Sequence, residues 1–521
     1  MCGIYWLLHT KPLTIEDDSK IHTNFKKGSG RGPDYSTLLQ KQNNYIGFHR
    51  LSINDLTPNG NQPFEINDCI LVCNGEIYNH KDLVEKYDLN VTSGSDCEVI
   101  IHLYKLFGIS KTINLLDGVF AFVLYDNIEK TLMVSRDFFG VRPLFISHSN
   151  ETLELCSELK MCSTNQSRCI QFPPGKCMIF SMVDKEIKRT SRYNYYNLNT
   201  KNVITKGIHE KVYKALDDAV KKRVDNTERP IGCLLSGGLD SSIIATLVKR
   251  NMPTTKKLKT FSIGLEGSVD IHFSRIMAKY LDSDHTEFVV TEKEMLDSIP
   301  EVIKTIESYD TTTVRASVGN WLIGKKISEN SECKVIFNGD GSDEVAGGYL
   351  YFRAAPDNDS FDLECKRLLS HIHFFDVLRS DRSVSGHGLE ARTPFLDREF
   401  VETYLRIDID ERVSKDKIDK HIIRESFKHI LPNEILNRRK EAFSDGVSCK
   451  KKSWYEIIQR HTSEHKMIQC YNNNPSTPEQ SYYRSVFLHY YNNFSHVIPY
   501  FWMPKFIDAK DASARTLKIY N

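Results

Sequence analysis

Cys2 stands directly after Met1, so removal of the methionine would leave a thiol and a free α-amine on one residue. An α-amine titrates near pH ~8, and its neutral fraction can take the thiol proton. Nucleophile and base would then share a residue. Asn74-Gly75-Glu76 follows an apolar run, and an Asn carboxamide with a Gly N–H makes a workable pair of oxyanion donors. Arg50 can pair bidentately with a carboxylate, while Glu76 and Asp96 can hold an α-ammonium. Each group alone has a plainer explanation. Cys2 is then a small residue opening a strand, Asn-Gly-Glu a turn, Arg50 a surface ion pair and Asp96 the N-cap of its helix.

A second set lies past the middle of the chain. In Ser236-Gly237-Gly238-Leu239-Asp240-Ser241-Ser242 the glycines let backbone N–H groups approach phosphate oxygens. The serines add hydroxyl donors and the following helix adds its N-terminal dipole. Asp240 can hold a Mg²⁺ that bridges phosphates. There is no Gly-Lys-Ser/Thr, so this is not a Walker loop. Asn338-Gly339-Asp340-Gly341-Ser342-Asp343-Glu344 gathers three carboxylates in five residues, which repel unless a cation or positive side chain joins them. Lys440, before Phe443-Ser444-Asp445-Gly446, can stabilise charge on a transferring phosphate. The plainer alternatives are a Gly-rich turn, an exposed acidic loop and a solvated basic run.

The elements that must position these residues fall into two textures. Short apolar runs at Ile4–Leu8, Tyr45–Phe48, Ile70–Cys73, Phe120–Tyr125 and Leu132–Ser135 read as strands, and Asp96–Phe107 as a helix. Together they predict an α+β layered unit over 1–190. A polar stretch, Asp184–Lys206, reads as the linker. From 205 to 521 the pattern becomes helix Ile208–Val224, strand Ile231–Leu235, helix Ser241–Arg250, strand Thr260–Gly264, helix Phe273–Leu281 and strand Lys334–Asn338. That alternation predicts an α/β unit with a parallel sheet and ligands at the strands' carboxyl ends. Beyond about residue 360 the chain reads as helical.

The 521 residues allow two to four domains, and 69 basic against 68 acidic residues leave a net charge of +1. That balance argues against a dedicated nucleic-acid binder. No apolar run reaches the ~18–20 residues of a membrane-spanning helix. Thirteen cysteines, an odd number without a CxxC pair, argue against a disulfide scaffold or a structural zinc. The opening MCGIYWLLHT lacks the basic start of a secretory signal. A reducing cytoplasm is the expected compartment.

Taken in order, Cys2-Gly3-Ile4, Arg31-Gly32-Pro33-Asp34, Arg50-Leu51-Ser52-Ile53, Asn74-Gly75-Glu76-Ile77-Tyr78-Asn79, Ser95-Asp96 and Asp117-Gly118-Val119-Phe120-Ala121 resemble the N-terminal-nucleophile glutamine amidotransferase domain. The resemblance implies an αββα sandwich that hydrolyses glutamine. Cys2 would be the nucleophile, Asn74 and Gly75 the oxyanion hole, and Arg50, Leu51, Ser52, Ile53, Glu76 and Asp96 the glutamine site. Gly30 stands where that family often has His. The Ser236–Ser242 heptapeptide resembles the pyrophosphate loop of the ATP-pyrophosphatase superfamily. Followed by ESYDTTTVRAS, GDGSDE, GLEARTPFLD and RKEAFSDGV, the whole chain resembles the glutamine-hydrolysing asparagine synthetase family.

This second resemblance implies activation of aspartate by Mg–ATP as β-aspartyl-AMP, followed by attack of glutamine-derived ammonia. Asparagine, AMP, pyrophosphate and glutamate would leave. Leu234 and Ile263 would line the adenine–ribose site, and Asn338 and Gly339 would contact the nucleotide. Ser236, Gly237, Gly238, Asp240, Ser241 and Ser242 would grip pyrophosphate. Asp240 and Asp343 would hold Mg²⁺, and Lys440 would stabilise the activation step. Asp270 and Arg382 are weaker correspondences. The expected partners are aspartate, glutamine and ATP, without nucleic acid or membrane, and the resemblance allows a homodimer.

The main departure is Asn338-Gly339-Asp340 where the family usually has Ser-Gly-Glu. Asp340 is one methylene, ~1.5 Å, shorter than the Glu used in adenylate formation. A misplacement of ~1 Å can cost ~10²-fold in rate, and the expectation is that the step survives with a shifted loop. Two other readings compete: a ligase of the same plan acting on another carboxylate, and an idle homologue that only binds. β-Lactam-forming relatives generally lack a working nucleophile, which Cys2 with Arg50, Asn74 and Asp96 argues against here. The changes at Asn338 and Asp340 are the only support for the idle homologue.

Overall fold

The structure is a computed structural model, and it describes residues 1–521 except 165, 199, 201–202, 414–417, 450–451 and 518–521. The N-terminal strands are β1 (Gly3–His9), β2 (Tyr35–Lys41), β3 (Asn44–Arg50), β4 (Phe64–Ile66), β5 (Cys69–Ile77), β6 (Gly118–Asp126), β7 (Thr131–Arg136), β8 (Phe145–His148), β9 (Thr152–Cys156), β10 (Ile170–Gln171), β11 (Lys176–Val183) and β12 (Glu186–Asn194). They form two antiparallel sheets ordered β10-β8-β9-β1-β3-β2 and β12-β11-β7-β6-β5-β4. Alternation along each strand makes the sandwich. Ile4, Trp6, Ile46 and Phe48 of one sheet interleave with Val72, Val123 and Val134 of the other. On the far face of the second sheet, Leu71, Phe120 and Phe122 pack on α2 (His80–Tyr87) and α3 (Val99–Leu115). On the far face of the first, Tyr5, Leu7 and Tyr45 meet α1 (Ile15–Lys26) through Ile21 and Phe25. The layers are therefore α, β, β and α.

Two expectations are corrected. The stretch Asp184–Lys206 is not a linker throughout, because β12 occupies Glu186–Asn194 and pairs with β11 across eight positions. Residue 190, expected to close the first unit, falls inside this strand. Its residues are polar because β12 is an edge strand with few side chains buried, so composition resembled a linker. Residues 199 and 201–202 of that stretch lie outside the described residues. The helix expected at Asp96–Phe107 begins at Val99 and continues past a break at Gly108.

The second unit follows α4 (Ile208–Asp225). Strands β13 (Ile231–Leu234), β14 (Lys259–Leu265), β15 (Asp284–Val290), β16 (Val335–Phe337) and β17 (Glu390–Arg392) form one parallel sheet ordered β15-β14-β13-β16-β17. The chain moves outward from β13 in one direction to β15, then returns to β16 on the other side. The switch point therefore lies between β13 and β16, where such sheets take their ligands. Helices α5 (Leu239–Asn251), α6 (Val269–Leu281), α7 (Glu292–Ile306) and α8 (Thr311–Asn330) cover the sheet. Most of the remaining regular structure is helical.

The two units share one apolar core. Leu159 and Met161 cluster with Ile299, Val302 and Ile303 of α7 and with Phe487. Buried ion pairs cross the seam: Arg31 to Asp381 (2.7 Å), Arg142 to Glu390 (3.4 Å) and Arg392 to Glu76 (3.2 Å). The thirteen cysteines are all unpaired. No described helix is long and apolar enough to cross a membrane.

Candidate active sites

Asn74 and Gly75 sit in the middle of β5, not in a turn. Beyond Leu71 the outer edge of β5 is free, because β4 pairs only with Cys69–Leu71. Opposite Gly75, Phe120 turns its own N–H and C=O to Asp137 (3.2 and 2.7 Å). Gly75 and Phe120 are therefore a non-hydrogen-bonded pair, and the Gly75 N–H points away from β6 along the free edge. The edge is capped around it by side chains. Gln62 holds the N–H and C=O of Cys73 (2.6 and 3.2 Å), the Cys97 thiol donates to Gly75 O (3.6 Å), and Asp96 accepts from Ile77 N (2.6 Å). A Cβ on Gly75 would meet Phe120 Cβ and Val119 O at 2.7 Å, which fixes the residue as glycine. The Asn74 carboxamide is fully buried and neither its nitrogen nor its oxygen has a partner. Two donors are thus held ready on one strand edge.

Cys2 Sγ lies 3.8 Å from Leu51 O, and burial pushes its thiol up. Burial also lowers the Met1 amine, to about 6. While Met1 is attached, the Cys2 nitrogen is an amide and cannot act as a base. Arg31 Nε donates to Cys2 O (2.9 Å). Ser52 N donates to Asp34 (2.8 Å), and Ile53 O accepts from Glu228 N (3.1 Å), tying this loop to the second unit.

Glu76 and Asp96 are buried beside one another, both accepting from Asn226 Nδ2 (2.7 and 3.3 Å). Burial, then Glu390 and Asp96, hold the Glu76 carboxyl well above the usual carboxylate range. The helix N-cap is Glu98, so Asp96 serves the strand edge and not the helix. Arg50 differs from expectation. Its fork is not open to a carboxylate but donates to Thr57 O and Asn61 Oδ1 (both 2.7 Å), to Asn54 O (3.3 Å) and to Asp55 O. It is buried and builds the 54–61 loop, so it is not a surface ion pair either.

At the switch point of the parallel sheet lies a cavity of about 190 Å³. Leu234, Ser236, Gly238, Asp240, Ser241, Ile263, Asn338, Gly339, Asp340, Asp343 and Lys440 all line it, as does Asp270. Gly237 and Ser242 support the loop from behind. Gly237 takes φ +67°, and a Cβ there would meet the backbone of Phe273 at 2.3 Å. Ser242 N donates to Gly238 O (3.1 Å), starting α5. A Cβ on Gly339 would meet Asp240 Cβ at 2.8 Å, so the two glycine loops touch. Asn338 donates to Ser380 Oγ (2.6 Å), and Arg438 is paired with Asp270 (2.6 Å). Arg382 is absent from the cavity; it bonds Glu307 (2.8 Å) at the seam.

The acidic loop is neutralised by positive side chains. Arg379 pairs with Asp340 (2.8 Å) and with Asp376 (2.9 Å). Lys440 pairs with Asp343 (2.5 Å) and lies 3.8 Å from Asp240. Lys420, which sequence reasoning missed, is buried with its ammonium 2.6 Å from Asp240, 2.5 Å from Asp343 and 3.2 Å from Ser342. It donates to both carboxylate oxygens of Asp240 and to Ser342 Oγ, and meets Asp343 as an ion pair. Burial pushes the Asp343 carboxyl up, but Lys420 and Lys440 overcome it and leave it below the usual range. No described group of three or more His, Cys, Asp or Glu side chains is arranged to hold a metal. Two convergent carboxylates are nevertheless a hard-oxygen donor set of the size Mg²⁺ uses with substrate phosphates. The one signal for Lys420 was Lys-His-Ile-Ile-Arg at the start of an amphipathic helix, which reads as an ordinary basic turn.

The model of a glutamine amidotransferase domain matches residues 1–199, and that of asparagine synthase matches 211–364 and 354–489. Over 100% of this chain and 99% of theirs, it is 39% identical to asparagine synthetase [glutamine-hydrolyzing] of Rattus norvegicus. Over the same shares it is 38% identical to the proteins of that name from Homo sapiens and Gallus gallus.

Proposed function

The chain belongs to the glutamine-hydrolysing asparagine synthetase family, and on that premise we propose how its residues divide the work. The enzyme makes asparagine from aspartate and ATP with nitrogen from glutamine. We assign glutamine hydrolysis to the sandwich and synthesis to the parallel-sheet unit, the two meeting between Asn194 and Gly207.

In the sandwich, the Cys2 thiolate adds to the glutamine carboxamide carbon after Met1 is removed, and the α-amine takes the thiol proton. The oxyanion that forms is met by Asn74 Nδ2 and Gly75 N–H, both without partners beforehand and needing no rearrangement. Glu76 and Asp96 hold the α-ammonium. Arg50 shapes the adjoining loop and supplies positive charge beside Cys2. Leu51, Ser52 and Ile53 form the wall between them. Ammonia leaves, and water releases glutamate from the thioester.

In the synthetase cavity, adenosine lies between Leu234 and Ile263, with Asn338 and Gly339 against the nucleotide. The Ser236–Ser242 loop and the start of α5 grip the polyphosphate. The aspartate side-chain carboxylate attacks the α-phosphorus, pyrophosphate leaves, and ammonia displaces AMP from β-aspartyl-AMP. Lys440 and Lys420 face the charge that develops. Asp240 and Asp343 would hold a Mg²⁺, which supplies charge neutralisation on the phosphate oxygens. Asp340, held by Arg379, orients the reacting groups. We place the enzyme in the cytoplasm, and a homodimer is the assembly to test.

The observation that carries this reading is one chain presenting an unpartnered Asn74 carboxamide on a free strand edge and, separately, two touching glycine loops at a parallel-sheet switch point. The test supplies Mg–ATP and aspartate with either glutamine or an ammonium salt and quantifies asparagine. Product from both donors is expected, and Cys2→Ala should abolish the glutamine reaction alone. No asparagine from folded protein with either donor would overturn the reading.

A further inference from the structure

Away from both sites, a cleft of about 640 Å³ opens on the seam between the units. Its walls are two helix faces. From α1 and its C-cap come Lys20, Asn24 and Lys27, spaced i, i+4 and i+7; from α7 come Glu301, Lys304 and Thr305. Leu159, Lys160 and Cys162 floor it on the sandwich side, and Tyr490, Tyr491 and Phe494 on the other. The volume and the position at a domain boundary are those of small-molecule sites.

The charges do not cancel. Four lysines face one glutamate. Lys304 has Glu301 (3.1 Å) and Lys160 has Glu158 behind it (2.9 Å). Lys27 instead donates to a neutral acceptor, Asn24 Oδ1 (2.7 Å). Its ammonium is pulled down by burial and by Lys20, with no carboxylate opposing. Asn24 is itself buried and fixed by its bond to Cys162 O (2.8 Å). The aromatic side is equally ordered. Tyr491 donates to Lys304 O (2.6 Å), Lys304 lies 5.5 Å from the Tyr490 ring centre, and the Tyr490 ring is part-exposed. Lys20 has Asp17 near it, so the uncompensated charge is that of Lys27, and the cleft pairs it with a ring face.

We infer that this seam cleft binds a nucleotide, with its phosphates on Lys20 and Lys27 and its base against Tyr490. Such a ligand touches both units at the joint where Glu307, next after α7, accepts the backbone N–H groups of Leu159 and Lys160 (2.9 and 2.8 Å). It would fasten the two units together there.

The test is a calorimetric titration of the full protein with ADP, without Mg²⁺. The synthetase cavity accounts for one ADP, and the seam cleft for a second. Lys20→Glu on α1 with Lys27→Glu at its C-cap, both exposed and outside either active site, should weaken the second site at least about tenfold and leave asparagine formation unchanged. Tyr490→Ala should weaken ADP there without weakening inorganic tripolyphosphate. ADP binding that is wholly indifferent to Lys20 and Lys27, whatever its stoichiometry, overturns the proposal. Tripolyphosphate binding the cleft as tightly as ADP overturns the role of the base. A second site that follows Lys20 and Lys27 supports the proposal whether or not the synthetase cavity takes ADP, so the two readings fail separately.

Discussion

The ammonium of Lys420, itself buried, lies 2.6 Å from the part-exposed carboxylate of Asp240 in the synthetase cavity. Lys420→Met keeps the stem and deletes the charge, leaving Lys440 as the nearer counter-ion of Asp240 and Asp343. Aspartate-dependent exchange of pyrophosphate into ATP should fall by at least ~10², while glutamine hydrolysis is unchanged. Exchange at the native rate would remove Lys420 from the active site.

Asn74→Ala separates function from stability. The carboxamide has no partner to lose, so its removal should shift Tm by only a few degrees while glutamine hydrolysis drops ~10²–10³-fold. Ammonium-dependent synthesis should persist. A large fall in Tm with little kinetic effect would show that Asn74 is structural.

Glu76 predicts a pH dependence. Burial beside Glu390 and Asp96 raises its pKa, so the neutral acid survives to higher pH than for an ordinary Glu. The neutral form cannot pair with an α-ammonium. KM for glutamine should therefore rise on acidification, beginning well above the usual carboxylate range, with kcat less affected. Glu76→Gln should give a high KM that no longer changes with pH. A flat profile in the native enzyme would remove Glu76 from this role.

Asp340→Glu tests whether the shorter carboxylate is built in. Asp340 meets Arg379, which is also tied to Asp376 and cannot retreat freely. An added methylene must displace that pair, and adenylation should fall about tenfold or more. A gain would show that the native residue is suboptimal.

Much of the fold was legible because its signals are local. Alternation revealed the strands of the sandwich, and the glycine loops announced the switch point. What was missed depends on contacts between distant segments. The composition of β12 is that of a linker, because an edge strand with polar faces carries no hydrophobic alternation. Lys420 reaches Asp240 across 180 positions, and nothing in its own neighbourhood marks that. Arg50 was legible as important, but not that its fork is spent on the carbonyls of its own loop. Asp96 was legible as either a cap or a ligand, and its position under Ile77 decided against the cap.

An unpaired strand edge invites strand addition from another copy, since it offers a row of open donors and acceptors. β5 must leave such an edge bare at Gly75 to keep its N–H available. Gln62, Cys97 and Asp96 occupy the neighbouring backbone groups, so what remains is one isolated donor instead of a row. A foreign strand needs consecutive bonds to hold its register and finds none here. The residues framing the oxyanion donor thereby protect this edge against strand addition from another copy.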